Sequence, residues 1–205
     1  LILKTKGVIF MGVLSFFVSY FLGAIPFSYL LPKMLKDIDV RNLGSHNVGT
    51  SNAVYTSGMK VGLLCFLGDF SKGYLAYYLA SNVFGLDGWM LIFSSLAAVI
   101  GHNWNIFLKF KGGKGMATAW GVIFASNYIA GLLFLLYATI ITLSTKYISM
   151  GTIFGITLVW VTSFFPIFDF NSILIVSLIL IIIPKHLENF KKIKNGTEYK
   201  INERM

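Results

Sequence analysis

Gly101-His102-Asn103-Trp104-Asn105-Ile106-Phe107-Leu108-Lys109-Phe110-Lys111-Gly112-Gly113-Lys114-Gly115 lies between two long apolar stretches, and it reads as a point where the chain leaves a lipid phase and re-enters it. Consecutive glycines let backbone N–H groups converge on an anion, and lysines supply mobile positive charge. A helix starting near Met116 turns its positive end toward the same spot. The stretch predicts a phosphate cradle at a bilayer surface, with a substrate that is phosphorylated and lipidic.

Outward from it, the composition agrees with a membrane. Of 205 residues, 56% are hydrophobic, 16% aromatic and only 12% charged, with a mean hydropathy of +0.75, outside the range of water-soluble domains. Val8 to Leu31, Val61 to Phe84 and Trp89 to Leu108 are each near the roughly 20 residues a spanning helix needs. Met116 to Thr145 would make one helix of roughly 45 Å against a hydrocarbon core of about 30 Å, so two shorter helices with a turn near Ser126-Asn127-Tyr128 are expected. Ser149 to Phe168 and Ser172 to Pro184 complete an all-α polytopic membrane protein of about seven spans, forming one domain over residues 1–205.

Charge supports the even split. The formal net charge of +9 gathers in short loops and in a tail carrying Lys185, Lys191, Lys192, Lys194, Lys200 and Arg204. Two helices between Met116 and Thr145 put these groups and the cradle on one face, as the positive-inside rule requires, with Lys4 and Lys6 a minor violation. The N-terminal apolar run is too long for a signal peptide and carries Tyr20, Gly23 and Pro26, so an uncleaved first span is expected. There is no soluble basic domain to bind nucleic acid. The one cysteine, Cys65, excludes an internal disulfide and reads as a buried small hydrophobe.

Three polar segments carry chemistry. Arg41-Asn42-Leu43-Gly44-Ser45-His46-Asn47-Val48-Gly49-Thr50-Ser51-Asn52 is dense in groups suited to phosphate or glycerol oxygens, although the same residues also make turns. Lys111 to Gly115 looks superficially like a nucleotide P-loop, but the residue after Lys114 is glycine rather than Ser or Thr and no strand precedes it. His186-Leu187-Glu188-Asn189 follows the last span, and His186 and Asn189 share a helix face if that span continues. Asp69 and Lys72, three apart inside the second span, read as a structural pair bracing the loop above rather than as catalysts. Ser149 begins a span on the same face, as a cap or a site residue.

Read in this order, the segments resemble the bacterial acyl-phosphate:glycerol-3-phosphate acyltransferases, the PlsY family. Gly44-Ser45, Asn47, Gly49 and Asn52 fit its first motif, Gly101-His102, Phe107 and Phe110 through Gly115 its second, and His186, Asn189, Gly196 and Glu198 its third. Tyr55 stands where the family usually has arginine, Asn105 where it has proline, His46 where it has glycine, Ser51 where it has threonine, and Lys192 where it has arginine. Losing the arginine at 55 removes a bidentate phosphate ligand that tyrosine does not replace.

The resemblance implies transfer of a fatty acyl group from acyl phosphate to the sn-1 hydroxyl of glycerol 3-phosphate, giving lysophosphatidic acid and phosphate, at the cytoplasmic face of a bacterial cell membrane. It implies catalytic roles for Ser45, Lys114, His186 and Asn189. Substrate contacts are expected from Arg41, Asn47, Thr50, Ser51, Asn52, His102, Lys111, Gly112, Gly113, Gly115, Ser149 and Glu198. No metal or cofactor is expected, since carboxylates are few and scattered, and the protein is expected to act as a monomer among membrane lipids. Two other readings share the anion site: a carrier for a phosphorylated metabolite, and a diverged paralogue that binds without turnover.

Overall fold

The computed structural model describes residues 2–201, with side chains from residue 7 onward, so the side chains of Lys4 and Lys6, and Arg204, lie outside the described residues. Nine α-helices occur there and no strand: α1 (Ile2–Gly23), α2 (Phe27–Lys36), α3 (Thr50–Ser57), α4 (Met59–Tyr78), α5 (Gly88–Asn103), α6 (Met116–Ser126), α7 (Tyr128–Thr145), α8 (Ile148–Thr162) and α9 (Ser172–Lys194). Gly7–Lys36, Gly88–Leu108, Tyr128–Thr145 and Ser172–Lys194 are long and apolar enough to cross a membrane; α6 and α8 are shorter apolar helices. The architecture is that of a polytopic membrane protein.

The expected first span is two helices. Pro26 has no N–H and pushes Ile25 out of helical geometry, so the ladder opens between α1 and α2. In a lipid phase the freed carbonyls need partners from within the protein. Asn105 Nδ2 donates to the Ala24 carbonyl at 2.6 Å, and Lys72 Nζ donates to that of Ile25 at 2.9 Å. Lys72 is fully buried and also pairs with Asp69 Oδ1 at 2.8 Å; Asp69 Oδ2 accepts from Ser28 Oγ at 2.6 Å. The charged pair thus sutures the α1–α2 break to α4, a structural role as its spacing suggested, though at the helix break rather than at the loop above.

Other boundaries differ for local reasons. The loop from Lys36 to Lys60 contains α3, begun at Gly49. α5 stops at Asn103 rather than Leu108, because the chain turns at Trp104 and Asn105 Oδ1 accepts from the Phe107 N–H to cap one turn of 3-10 helix over Ile106–Leu108. The long stretch after Met116 does divide: Asn127 Oδ1 accepts from the Ile129 and Ala130 N–H groups, starting α7 afresh. α8 ends at Thr162, six residues early. α9 runs on to Lys194, past Pro184, which forfeits one ladder bond without ending the helix. That extension carries His186 and Asn189 inward on one buried face.

The core lies between α5, α6, α7, α8 and α9, with Val122, Ile123, Ile156, Val159, Leu178 and Ile182 sealed in it. Where membrane helices cross, small residues let backbones approach. A side chain at Gly73 would strike the Thr118 carbonyl, and one at Gly155 would strike Ala138. α6 has 11 residues, about 16 Å, or half a hydrocarbon core. The loop that opens it is therefore recessed among the helices.

Candidate active site

A cavity of about 700 Å³ opens where the three polar segments converge. On one side is the loop before α3, held in shape by a single side chain. Asn52 Nδ2 donates to the carbonyls of Val40 (2.8 Å), Leu43 (3.1 Å) and Asn47 (3.0 Å), while its Oδ1 accepts from the Ser45 N–H at 2.9 Å. Every polar side-chain atom of Asn52 is bonded within the loop, so it shapes the loop while also lining the cavity. His46 sits in the left-handed region at φ 58°, and its Nδ1 donates to the Arg41 carbonyl at 3.0 Å. That bond steadies a conformation for which glycine is the easier occupant.

Arg41 itself does not line the cavity. Its guanidinium forms a fork with Asp39, with Nη2 to Oδ2 at 2.6 Å, and lies over the Tyr29 ring at 4.6 Å. The hydrogen bonds from Arg41 hold the Asp39 carboxyl down to about 2. A carboxylate so depressed stabilises the loop above its ordinary range and loses that contribution only as pH falls toward 2. At physiological pH Arg41 is therefore locked into the loop. Lys111 is likewise exposed and outside the cavity.

Ser45, Asn47, Thr50 and Ser51 do line it. The Thr50 hydroxyl oxygen is buried with no protein partner, at the first turn of α3. Facing it is the glycine loop. The Gly113 N–H donates to the His102 carbonyl at 3.2 Å, so this amide closes the loop rather than reaching into the cavity. A side chain at Gly113 would strike both the Val48 carbonyl and the His102 ring. The N–H groups of Gly112 and Gly115 have no acceptor among the described residues, and Gly115, at φ +80°, starts α6. Two open amides and a helix N-terminus make an anion cradle. His102 Nδ1 lies 3.5 Å from Asp69 Oδ1, tying the cradle to the buried pair below.

The third side comes from α9, α8 and the tail. Lys114 Nζ donates to Asn189 Oδ1 at 2.5 Å, Asn189 Nδ2 to Glu198 Oε1 at 2.8 Å, and Ser149 Oγ to the same oxygen at 3.3 Å. Glu198 orients Asn189 and Ser149. His186, 4% exposed, has Nδ1 3.1 Å from the Ile182 carbonyl. A carbonyl only accepts, so Nδ1 carries the proton and the neutral ring keeps a lone pair on Nε2. Of the expected site residues, all but Arg41 and Lys111 line the cavity.

Sequence reasoning missed several others. Lys185 lines the cavity while its Nζ donates to the Asn103 carbonyl at 2.8 Å and lies over the Trp104 ring. Lys192 lines it too, paired with Glu188 at 2.8 Å. Tyr55 is 45% exposed, its ring 5.5 Å from that of Tyr199 at the cavity wall. An apolar arm along α7, with Trp120 and Phe66, extends the cavity. Lys185 was marked only by its place in a basic helix end, whereas Lys192 also stood where the third motif has arginine.

The profile of the glycerol-3-phosphate acyltransferase family matches residues 13–196. A glycerol-3-phosphate acyltransferase of Thermotoga petrophila is 40% identical over 185 residues, covering 90% of this chain and 93% of the relative. One of Aquifex aeolicus is 38% identical over 183 residues, 89% and 95% of the two chains. The crystal structure of PlsY, an integral membrane glycerol 3-phosphate acyltransferase, superposes in its glycerol 3-phosphate form with a TM-score of 0.86 at 34% identity, covering 93% of this chain and 95% of that one. Its lysophosphatidic acid form superposes with a TM-score of 0.82 at 32% identity, covering 94% and 96%.

Proposed function

The chain belongs to the glycerol-3-phosphate acyltransferase family, and from that premise we propose how this membrane enzyme acylates glycerol 3-phosphate. The donor is acyl phosphate and the product lysophosphatidic acid. The observation that carries the reading is the meeting of an anion cradle, a lysine and a lone-pair-bearing histidine in one recess. Acyl phosphate is already activated, so the protein need only hold two anions together and offset the charge that develops on the leaving phosphate.

The Gly112 and Gly115 amides and Lys114 hold the donor phosphate. Ser45, Thr50, Ser51, Ser149 and Asn189 present hydrogen-bonding groups to glycerol 3-phosphate. The sn-1 hydroxyl attacks the acyl carbon, the bond to phosphate oxygen breaks, and the hydroxyl proton passes to His186 Nε2 and on to the departing phosphate. His186→Ala is expected to lower kcat about 10²-fold with KM nearly unchanged in initial-rate kinetics. A change mainly in KM rejects the proton role and leaves the phosphate as its own base.

α1 with α2, then α4 through α9, make seven crossings of one domain in the bacterial cell membrane, acting as a monomer with the site toward the cytoplasm. The lysines after α5 and along the end of α9 support that orientation. Tyr55 offers no cation to the acceptor phosphate, whereas Lys192 lines the same recess. The site has adapted. Tyr55→Arg is therefore expected to leave kcat/KM for glycerol 3-phosphate within about threefold, because arginine loses the Tyr199 contact while adding charge. A gain of tenfold or more, roughly 1.4 kcal/mol, would instead mark the natural protein as impaired. Donor identity is tested by offering labelled glycerol 3-phosphate with acyl phosphate, acyl-CoA or acyl carrier protein in turn; product from the first alone supports the reading.

A further inference from the structure

The cavity does not end at its polar groups. From Leu143 to Phe134 one face of α7 continues it as an apolar groove, with Trp120 of α6 at the far end. Nine helical steps correspond to about 13 Å. Trp120 is held hard: its Nε1 donates to the Gly131 carbonyl at 3.0 Å, and its ring centroid lies 5.2, 5.4 and 5.5 Å from those of Phe66, Phe70 and Phe134. An indole fixed by one hydrogen bond and three rings does not swing aside cheaply. Between mouth and floor the wall is made of small groups, Ala138, Thr139 and Thr142.

We propose that Trp120 sets the acyl chain length this enzyme seats. The chain descends along α7 from an acyl carbon held near Lys114 and His186, and its methyl end stops on the indole. An alkyl chain with C–C bonds of about 1.5 Å advances about 1.25 Å per carbon, so the groove takes roughly ten to twelve carbons. Longer chains leave sideways past the exposed Leu135 and gain nothing more from the protein. The inference rests on the acyl-transfer reading and adds a substrate length to it.

The test offers the purified enzyme a ladder of saturated acyl phosphates, from about eight to about eighteen carbons, and measures lysophosphatidic acid of each length. For the natural protein kcat/KM is expected to rise to about twelve carbons and then level. In Trp120→Ala it keeps rising, and the ratio of sixteen- to twelve-carbon donors grows by about tenfold or more, since each newly seated methylene is worth about fourfold. Thr139→Phe, which enlarges an exposed side chain midway down the groove, moves the plateau to shorter chains. Because Trp120→Ala also removes three ring contacts, Thr139→Phe carries the test if the first variant fails to fold. An active enzyme whose length profile both substitutions leave unchanged overturns the proposal. A natural protein inactive with every acyl phosphate rejects the donor reading instead, and the same ladder of acyl thioesters then reads the groove.

Discussion

Lys114→Met lowers kcat/KM by about 10²–10³ while the protein still folds, by analogy with removing one donor from a preorganised anion site. Methionine keeps most of the unbranched apolar stem and removes the charged N–H donor. Lys114 stands between Gly113 and Gly115 and its ammonium reaches Asn189; in the proposed reaction that positive charge sits where the leaving phosphate collects its electrons. The recess is low in dielectric, which strengthens that attraction. Arginine restores little, because its planar fork does not reproduce a compact ammonium bonded to one amide oxygen. The check is initial-rate kinetics alongside a thermal unfolding curve. A loss under tenfold with an unchanged melting temperature removes Lys114 from the transition state.

The second large effect is on stability. Asp69→Ala strands the Lys72 ammonium among helices where both side chains are 1% exposed, and breaking such a pair costs about 3–5 kcal/mol. Ser28 loses its acceptor and His102 its neighbouring carboxylate in the same step. Unfolding in detergent micelles measures it, as a drop in melting temperature or in the folded yield from membranes. Adding Lys72→Met to Asp69→Ala should recover part of the loss. If the single variant melts with the natural protein, the pair is not what joins α2 to α4.

Much of this was legible beforehand. Length arithmetic together with the placing of the basic groups divided Met116 to Thr145, and Asn127 proved to be the cap that does it. The three polar segments announced themselves by side-chain chemistry, and the spacing of His186 and Asn189 placed both on one face. What hid was of two kinds. Pro26 and Pro184 are chemically alike, yet one opens the chain and the other rides inside a helix; the difference lies in the carbonyl partners, Lys72 and Asn105, that only the fold supplies. Arg41 looked like a ligand because guanidinium groups bind anions, but its partners are Asp39 and the Tyr29 ring, away from the cavity, whereas Asn52 both holds its loop and lines the cavity. The groove along α7 left no trace, since in a lipid-facing helix apolar residues occur on every side, and periodicity cannot tell a wall from a surface.

The contact between Lys72 and the Ile25 carbonyl also bears on how such a sequence changes over generations. A lineage that straightened its first crossing by losing Pro26 would leave an ammonium with one partner fewer; one that lost the lysine first would leave a bare carbonyl in hydrocarbon. Either intermediate is worse than both endpoints. Positions 26 and 72 are thereby bound into joint inheritance, and substituting them together should harm the protein less than the sum of the separate substitutions.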